Sequence, residues 1–87
     1  MRFIVESRFT AAPTPEVLAL VPAEQARGRE FDAQGIREHL FLPSDLSGSW
    51  QVFNLESREA LDRALASLPF HPYVVETVTQ LTESNDL

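Results

Sequence analysis

The sequence contains no cysteine and no lysine. Without thiols there is no disulfide and no thiolate metal site, and an oxidising compartment offers the chain nothing, so a cytoplasmic location is expected. Without lysine, Schiff-base chemistry and a lysine general base are excluded; all seven basic residues are arginine. Thirteen acids against those seven arginines give a formal charge of −6, which opposes the phosphate neutralisation that nucleic-acid binding needs. Long apolar runs are missing too. No window could span a bilayer, and Met1-Arg2-Phe3-Ile4-Val5-Glu6 meets an acid too early for a signal peptide, so no membrane partner is expected. Nor is there a glycine-rich phosphate loop, a pair of histidines at metal-ligand spacing or a nucleophile–histidine–acid motif; no metal and no cofactor is expected.

What is present fits one domain over residues 1–87. A chain this short buries a small share of its surface, and self-association would supplement its thin core. Phe3, Val5 and Phe9 alternate with Arg2, Glu6 and Arg8 from Met1 to Phe9, the pattern of a half-buried strand in which Ile4 is the apolar exception. Thr14-Pro15-Glu16 is a helix start, with Thr14 as N-cap and Pro15 in the first helical position. Pro22 interrupts the apolar face of Val17, Leu18, Leu20 and Val21 and implies a kink or restart. The weaker half, Ala23 to Gln34, is anchored by Phe31 and closed by Gly35.

Ile36 to Leu42 is the second strand, with Ile36, Leu40 and Leu42 on one parity and Arg37, His39 and Phe41 on the other. Turn residues from Pro43 to Gly48 join it as a hairpin to a third strand, Ser49 to Leu55. Ser57 caps a helix from Arg58 to Leu68 with Leu61, Ala64, Leu65 and Leu68 at helical spacing. Two prolines, Pro69 and Pro72, then force a hinge before a fourth strand from about Tyr73 to Leu81, and residues 82–87 form a polar tail expected to fray. The order β-α-β-β-α-β predicts a ferredoxin-like α+β fold, a four-stranded antiparallel sheet with two helices on one face. The other face is expected to carry Ile4, Phe41 and Phe53, and to be covered by a partner subunit or to line a ligand cavity.

The hinge Leu68-Pro69-Phe70-His71-Pro72-Tyr73, the helix before it and the strand after it resemble the C-terminal half of the muconolactone isomerase family. The resemblance extends through Gly35, His39-Leu40, Val52-Phe53 and Glu59-Ala60-Leu61, and through the Thr14-Pro15 helix start. It implies a homodimer or higher oligomer of α+β barrel type and a small-molecule substrate. The implied chemistry is a cofactor-free 1,3-proton shift in an unsaturated lactone, as in the conversion of muconolactone to the enol-lactone of 3-oxoadipate during catechol breakdown. That step needs a base near neutral pKa, a donor for the dienolate and a group that returns the proton across the α and γ carbons. The acid-lysine-acid run on the family's first helix falls on Glu24-Gln25-Ala26, which keeps only the first acid, and Glu38, Leu42 and Leu46 replace basic and polar positions around the second strand. A diverged cyclase, dehalogenase or cofactor-free monooxygenase, or a non-catalytic binding or assembly protein, therefore stands beside the isomerase.

His39, at the family's His-Leu position, and Glu24, at its first acid, are the candidate catalytic residues. The candidates for substrate binding are Arg27 and Arg37 as bidentate carboxylate holders, Trp50 and Tyr73 as pocket walls with a polar tip, and His71 in the hinge. Each has a plainer use: strand histidines hydrogen-bond neighbours, and surface arginines are solvated. Glu6 and Glu76 are expected on the sheet face away from the helices, where burial would make either a base of raised pKa.

Overall fold

The computed structural model describes residues 1–84. Of the tail expected at 82–87, residues 85–87 lie outside that range. Alternation makes Arg2–Phe9 the strand β1, with Phe3, Val5 and Ser7 buried on one side. The Thr14 hydroxyl accepts the Val17 N–H at 3.3 Å and Pro15 opens the single-turn helix α1, Pro15–Leu18. The chain then restarts as α2, Val21–Ala33, with Pro22 in its first turn, where the missing N–H would have had no intrahelical partner. The first of the two expected helices is thus two. Gly35 ends α2 at φ 73°, a left-handed conformation that glycine adopts without a Cβ penalty.

Strands β2, Arg37–Phe41, and β3, Gly48–Asn54, form the expected hairpin. Ser57 caps α3, Arg58–Ala66, by accepting the Ala60 N–H at 3.0 Å. The hinge is a 3-10 turn over His71–Tyr73, followed by β4, Val74–Leu81. The sheet is antiparallel in the order β2-β3-β1-β4, the ferredoxin-like arrangement. Phe31 of α2 and Leu61, Leu65 and Leu68 of the α3 segment pack with Phe3, Val5 and Phe53 into one core on one sheet face. Phe31 meets Phe53 edge-on at 5.8 Å between centroids, a favoured aromatic geometry.

Three face assignments differ from expectation. Phe53 pairs directly with Phe3 across β1 and β3, and residues directly opposite each other share a side, so it is a fully buried core residue rather than one of the open face. In β2 the register shifts between Arg37 and His39, leaving Glu38 as an extra residue. Such a bulge reverses parity, so Arg37 opposes Phe53 on the helix side while His39 and Phe41 oppose Val52 and Trp50 on the open side. Arg2 holds the displaced Glu38 through Nε and Nη2 at 2.8 and 3.2 Å. Finally, Glu76 opposes Ser7 and therefore faces the helices, whereas Glu6, opposite Trp50 and Thr77, does face away from them.

Candidate active site

Along β1 the helix-side rows change from apolar to polar. Phe3 lies beside Phe53, Val5 beside Gln51 and Val78, and Ser7 beside Ser49 and Glu76. Ser7 and Gln51 are buried, and buried polar groups mark either satisfied networks or sites.

Above this polar end lies the first turn of α2. Glu24 Oε1 accepts the Phe70 N–H at 2.8 Å, which ties α2 to the hinge. Burial pushes the Glu24 carboxyl above its ordinary range; the Phe70 N–H and the Arg37 charge pull it back in part, and Glu76 adds to the rise. Arg37 reaches under α2 with its side chain only 10% exposed. Its Nε and Nη2 bind the two Asp32 oxygens at 2.8 and 3.0 Å, and Nη1 donates to Gln51 Oε1 at 3.0 Å. The Arg37 hydrogen bond holds Asp32 below its ordinary value. Gly28 makes the room: a Cβ there would stand 2.7 Å from Arg37 Nη2. At the hinge, His71 Nδ1 lies 3.1 Å from Glu76 Oε1, and burial, ahead of the His71 charge that opposes it, raises the Glu76 carboxyl.

The structure therefore brings Glu24, Arg37 and Glu76 together with His71 beside them, and it does not bring His39 to them. His39 is exposed on the open face, its ring stacked on Phe41 at 5.9 Å and 12°. Trp50 shares that face. Arg27 turns to α3, with its guanidinium 4.5 Å above the Phe31 ring, Nε donating to Ser67 Oγ at 3.0 Å and Nη1 to Glu30 at 2.6 Å. Tyr73 is exposed, and its carbonyl accepts the Thr10 N–H at 3.0 Å. A cleft of about 220 Å³ wraps the hairpin end of the sheet, touching Ser7 and Ser49 on one side and Trp50, Glu6 and Arg8 on the other. Gln51, Asp32, Ser7 and Ser49 are polar members of the cluster that sequence reasoning passed over. Gln51 could have been found from its two-residue spacing to Phe53, had Phe53 been placed inward.

Two opposed pH dependences follow. A carboxyl whose folded pKa is raised, as for Glu24 and Glu76, leaves stability intact below the ordinary value of 4.5. As pH rises from there through the folded value, the unfolded chain releases its proton first and stability falls. Asp32, depressed below 3.8, contributes stability above that value and loses it as pH falls through the lower folded pKa. Urea midpoints are therefore expected to decline as pH rises above about 4.5. Glu24→Gln should flatten that decline; an equal slope in the variant would contradict the burial of Glu24.

No protein of curated function matches the sequence. A solved muconolactone isomerase superposes with a TM-score of 0.83 over 95% of this chain and 90% of its own, at 24% identity. The 5-chloro-2-hydroxyhydroquinone dehydrochlorinase of Burkholderia phenoliruptrix, solved with 2,5-dihydroxybenzoquinone, gives 0.79 over 99% and 98% at 14% identity. Rv0793 of Mycobacterium tuberculosis gives 0.57 over 97% and 99% at 22% identity. These likenesses establish the fold. The family model described as muconolactone delta-isomerase matches residues 1–86, nearly the whole sequence, and the chain belongs to that family.

Proposed function

We propose that this chain is a small-molecule catabolic enzyme of the cytoplasm, a cofactor-free isomerase that moves the double bond of a small unsaturated lactone by a 1,3-proton shift. The observation that carries the reading is Glu24, a half-buried carboxyl with a raised pKa, fixed by the Phe70 N–H beside buried Arg37. A carboxyl shifted toward neutrality can both take a proton from carbon and return one. Arg37 supplies positive charge facing it, although Asp32 already fills the guanidinium fork, so Arg37 acts by its field and by Gln51 rather than as a free clamp. A second reading, elimination of chloride from a ring as by the dehydrochlorinase of similar fold, is favoured by Gln25 standing where the family carries lysine.

The test is incubation of the purified protein with muconolactone in deuterium oxide. Deuterium entering the lactone above background supports the isomerase; no exchange moves the reading to elimination or to binding alone. A His39→Ala variant run beside it reports whether the open sheet face takes part.

That face carries Ile4, Val52, Trp50, Phe41 and Val75, with Phe41 58% and Val75 61% exposed. A second copy is proposed to cover it, completing an α+β barrel dimer or larger oligomer. Val75→Asp, which leaves the single chain's core untouched, should sediment as the 9.8 kDa monomer while the wild type sediments at twice that mass or more. A monomeric wild type would end this part of the reading.

A further inference from the structure

The proton shift as read above uses Glu24 and leaves a second titratable pair of the same side-chain cluster, His71 and Glu76, unused. Resting on that reading, we infer that His71 is the second proton-transfer group of the site, working through Nε2, with Glu76 as the positioning residue that fixes its ring.

The geometry has three parts. First, Nδ1 of His71 is buried, and its near partner is the Glu76 carboxylate at 3.1 Å, off the line of an ideal N–H···O hydrogen bond. The rest of the ring reaches the surface, the side chain being 42% exposed. A carboxylate beside one imidazole nitrogen favours the proton there and leaves a lone pair at the other. Second, Glu76 is held in place: it is 14% exposed, on the helix side of β4 opposite Ser7, with Asp62 of α3 and Glu24 of α2 near enough to act on one charge field. Third, the hinge joins the two transfer groups. Phe70, whose N–H fixes Glu24, is the residue before His71, and its ring packs edge-on against Phe9 at 5.3 Å. The prolines at Pro69 and Pro72 set that segment's backbone, so both groups are positioned by one stiff element.

The division of labour balances. Nε2 of neutral His71 takes the proton from the γ carbon, and the C–H electron pair joins the dienolate. Protonated Glu24 gives its proton to the α carbon, and the double bond settles between the β and γ carbons. The proton on His71 then passes through solvent to the Glu24 carboxylate, restoring both groups with no change in the composition of the lactone. Burial at Glu24 favours the protonated form this requires, and the Glu76 carboxylate stabilises the imidazolium formed in the first step.

The test joins two readouts on the intact protein. Nitrogen-15 spectra at pH about 8.5, two units above the ordinary histidine value, report which ring nitrogen of His71 bears the proton. The expected result is Nδ1–H in the wild type, Nδ1–H retained in Glu76→Gln, which keeps an acceptor, and a mixture of tautomers in Glu76→Leu, read once cooperative urea unfolding of that variant has verified that it folds. Deuterium exchange into muconolactone should fall at least about tenfold in His71→Gln. A proton on Nε2 in the wild type, an unchanged spectrum in Glu76→Leu, or undiminished exchange in His71→Gln each overturns the pair while leaving the isomerase reading standing. No exchange by the wild type overturns the isomerase reading and the pair's role within it, whatever the spectra show.

Discussion

Glu24→Gln is expected to slow lactone proton exchange about 100-fold, the lower end of what a positioned general acid or base contributes. At 1.36 kcal/mol per tenfold, this is about 2.7 kcal/mol of barrier. The substitution is nearly isosteric, and the amide oxygen can still accept the Phe70 N–H that now meets Glu24 Oε1 at 2.8 Å. The link between α2 and the hinge therefore survives, and Arg37 keeps Asp32 and Gln51. What is lost is the capacity to carry a proton. The loss should accordingly fall on kcat, with KM little changed, which is the signature of an interaction used in the transition state. The pH–rate profile gives a second check. Because burial raises the Glu24 carboxyl, the limb that reports it should lie above the ordinary glutamate value of 4.5 and vanish in the variant. An unchanged rate would remove Glu24 from the chemistry and return attention to the open face, where His39 stands.

Much of the scaffold was legible in residues whose effects are local. Thr14 and Ser57 as caps, Pro15 and Pro22 at helix starts, Gly35 at a helix end and the paired prolines of the hinge act within a few bonds of themselves, and each stands where its chemistry placed it. Face assignments were not legible, because they depend on pairing between distant segments. The extra residue at Glu38 reverses β2, and nothing in Arg37-Glu38-His39 marks a bulge; the Arg2 guanidinium that holds Glu38 outside lies 36 residues away. The same loss of register hid the site. With Phe53 placed outward, Gln51, two residues before it, could not be placed in the core, and with Glu76 placed away from the helices, its contact with His71 could not be drawn. In the sequence Gly28 is only a residue of low helix propensity, and nothing there marks it as the space that Arg37 occupies.

Charge in this acidic chain is organised unevenly around that site. Arg2, Arg8, Arg27 and Arg58 pair with Glu38, Glu6, Glu30 and Asp62 at the surface, where such pairs contribute roughly 0–1 kcal/mol. Arg37 differs, its side chain being nearly enclosed while Asp32 remains about half exposed. Removing Asp32 would leave a buried cation with Gln51 as its remaining side-chain partner, so Asp32 acts as an anchor that keeps positive charge near Glu24.

Replacing Phe53 with alanine should cost about 3–5 kcal/mol of folding stability, the usual range for emptying a buried phenylalanine site. Phe53 is fully buried and packs edge-on against Phe31 while opposing Phe3 across the sheet. At ~0.05–0.15 kcal/mol per residue a chain of this length has a total stability of only about 4–13 kcal/mol, so the variant loses a large fraction of it. Phe41→Ala, on the open face of the edge strand and 58% exposed, should change the single chain by no more than about 0.5 kcal/mol. The comparison belongs in the Val75→Asp background, because covering of the open face by a second copy would add association energy at Phe41 that is absent from the fold of one chain. Urea unfolding of the two double variants then reads the faces directly. A loss confined to Phe53 agrees with the Phe3–Phe53 register and the bulge at Glu38. Equal losses would mean that Phe41 also points into the core and would reverse the parity of β2. That reversal would carry His39 to the helix side, and with it the choice of which histidine serves the proton shift.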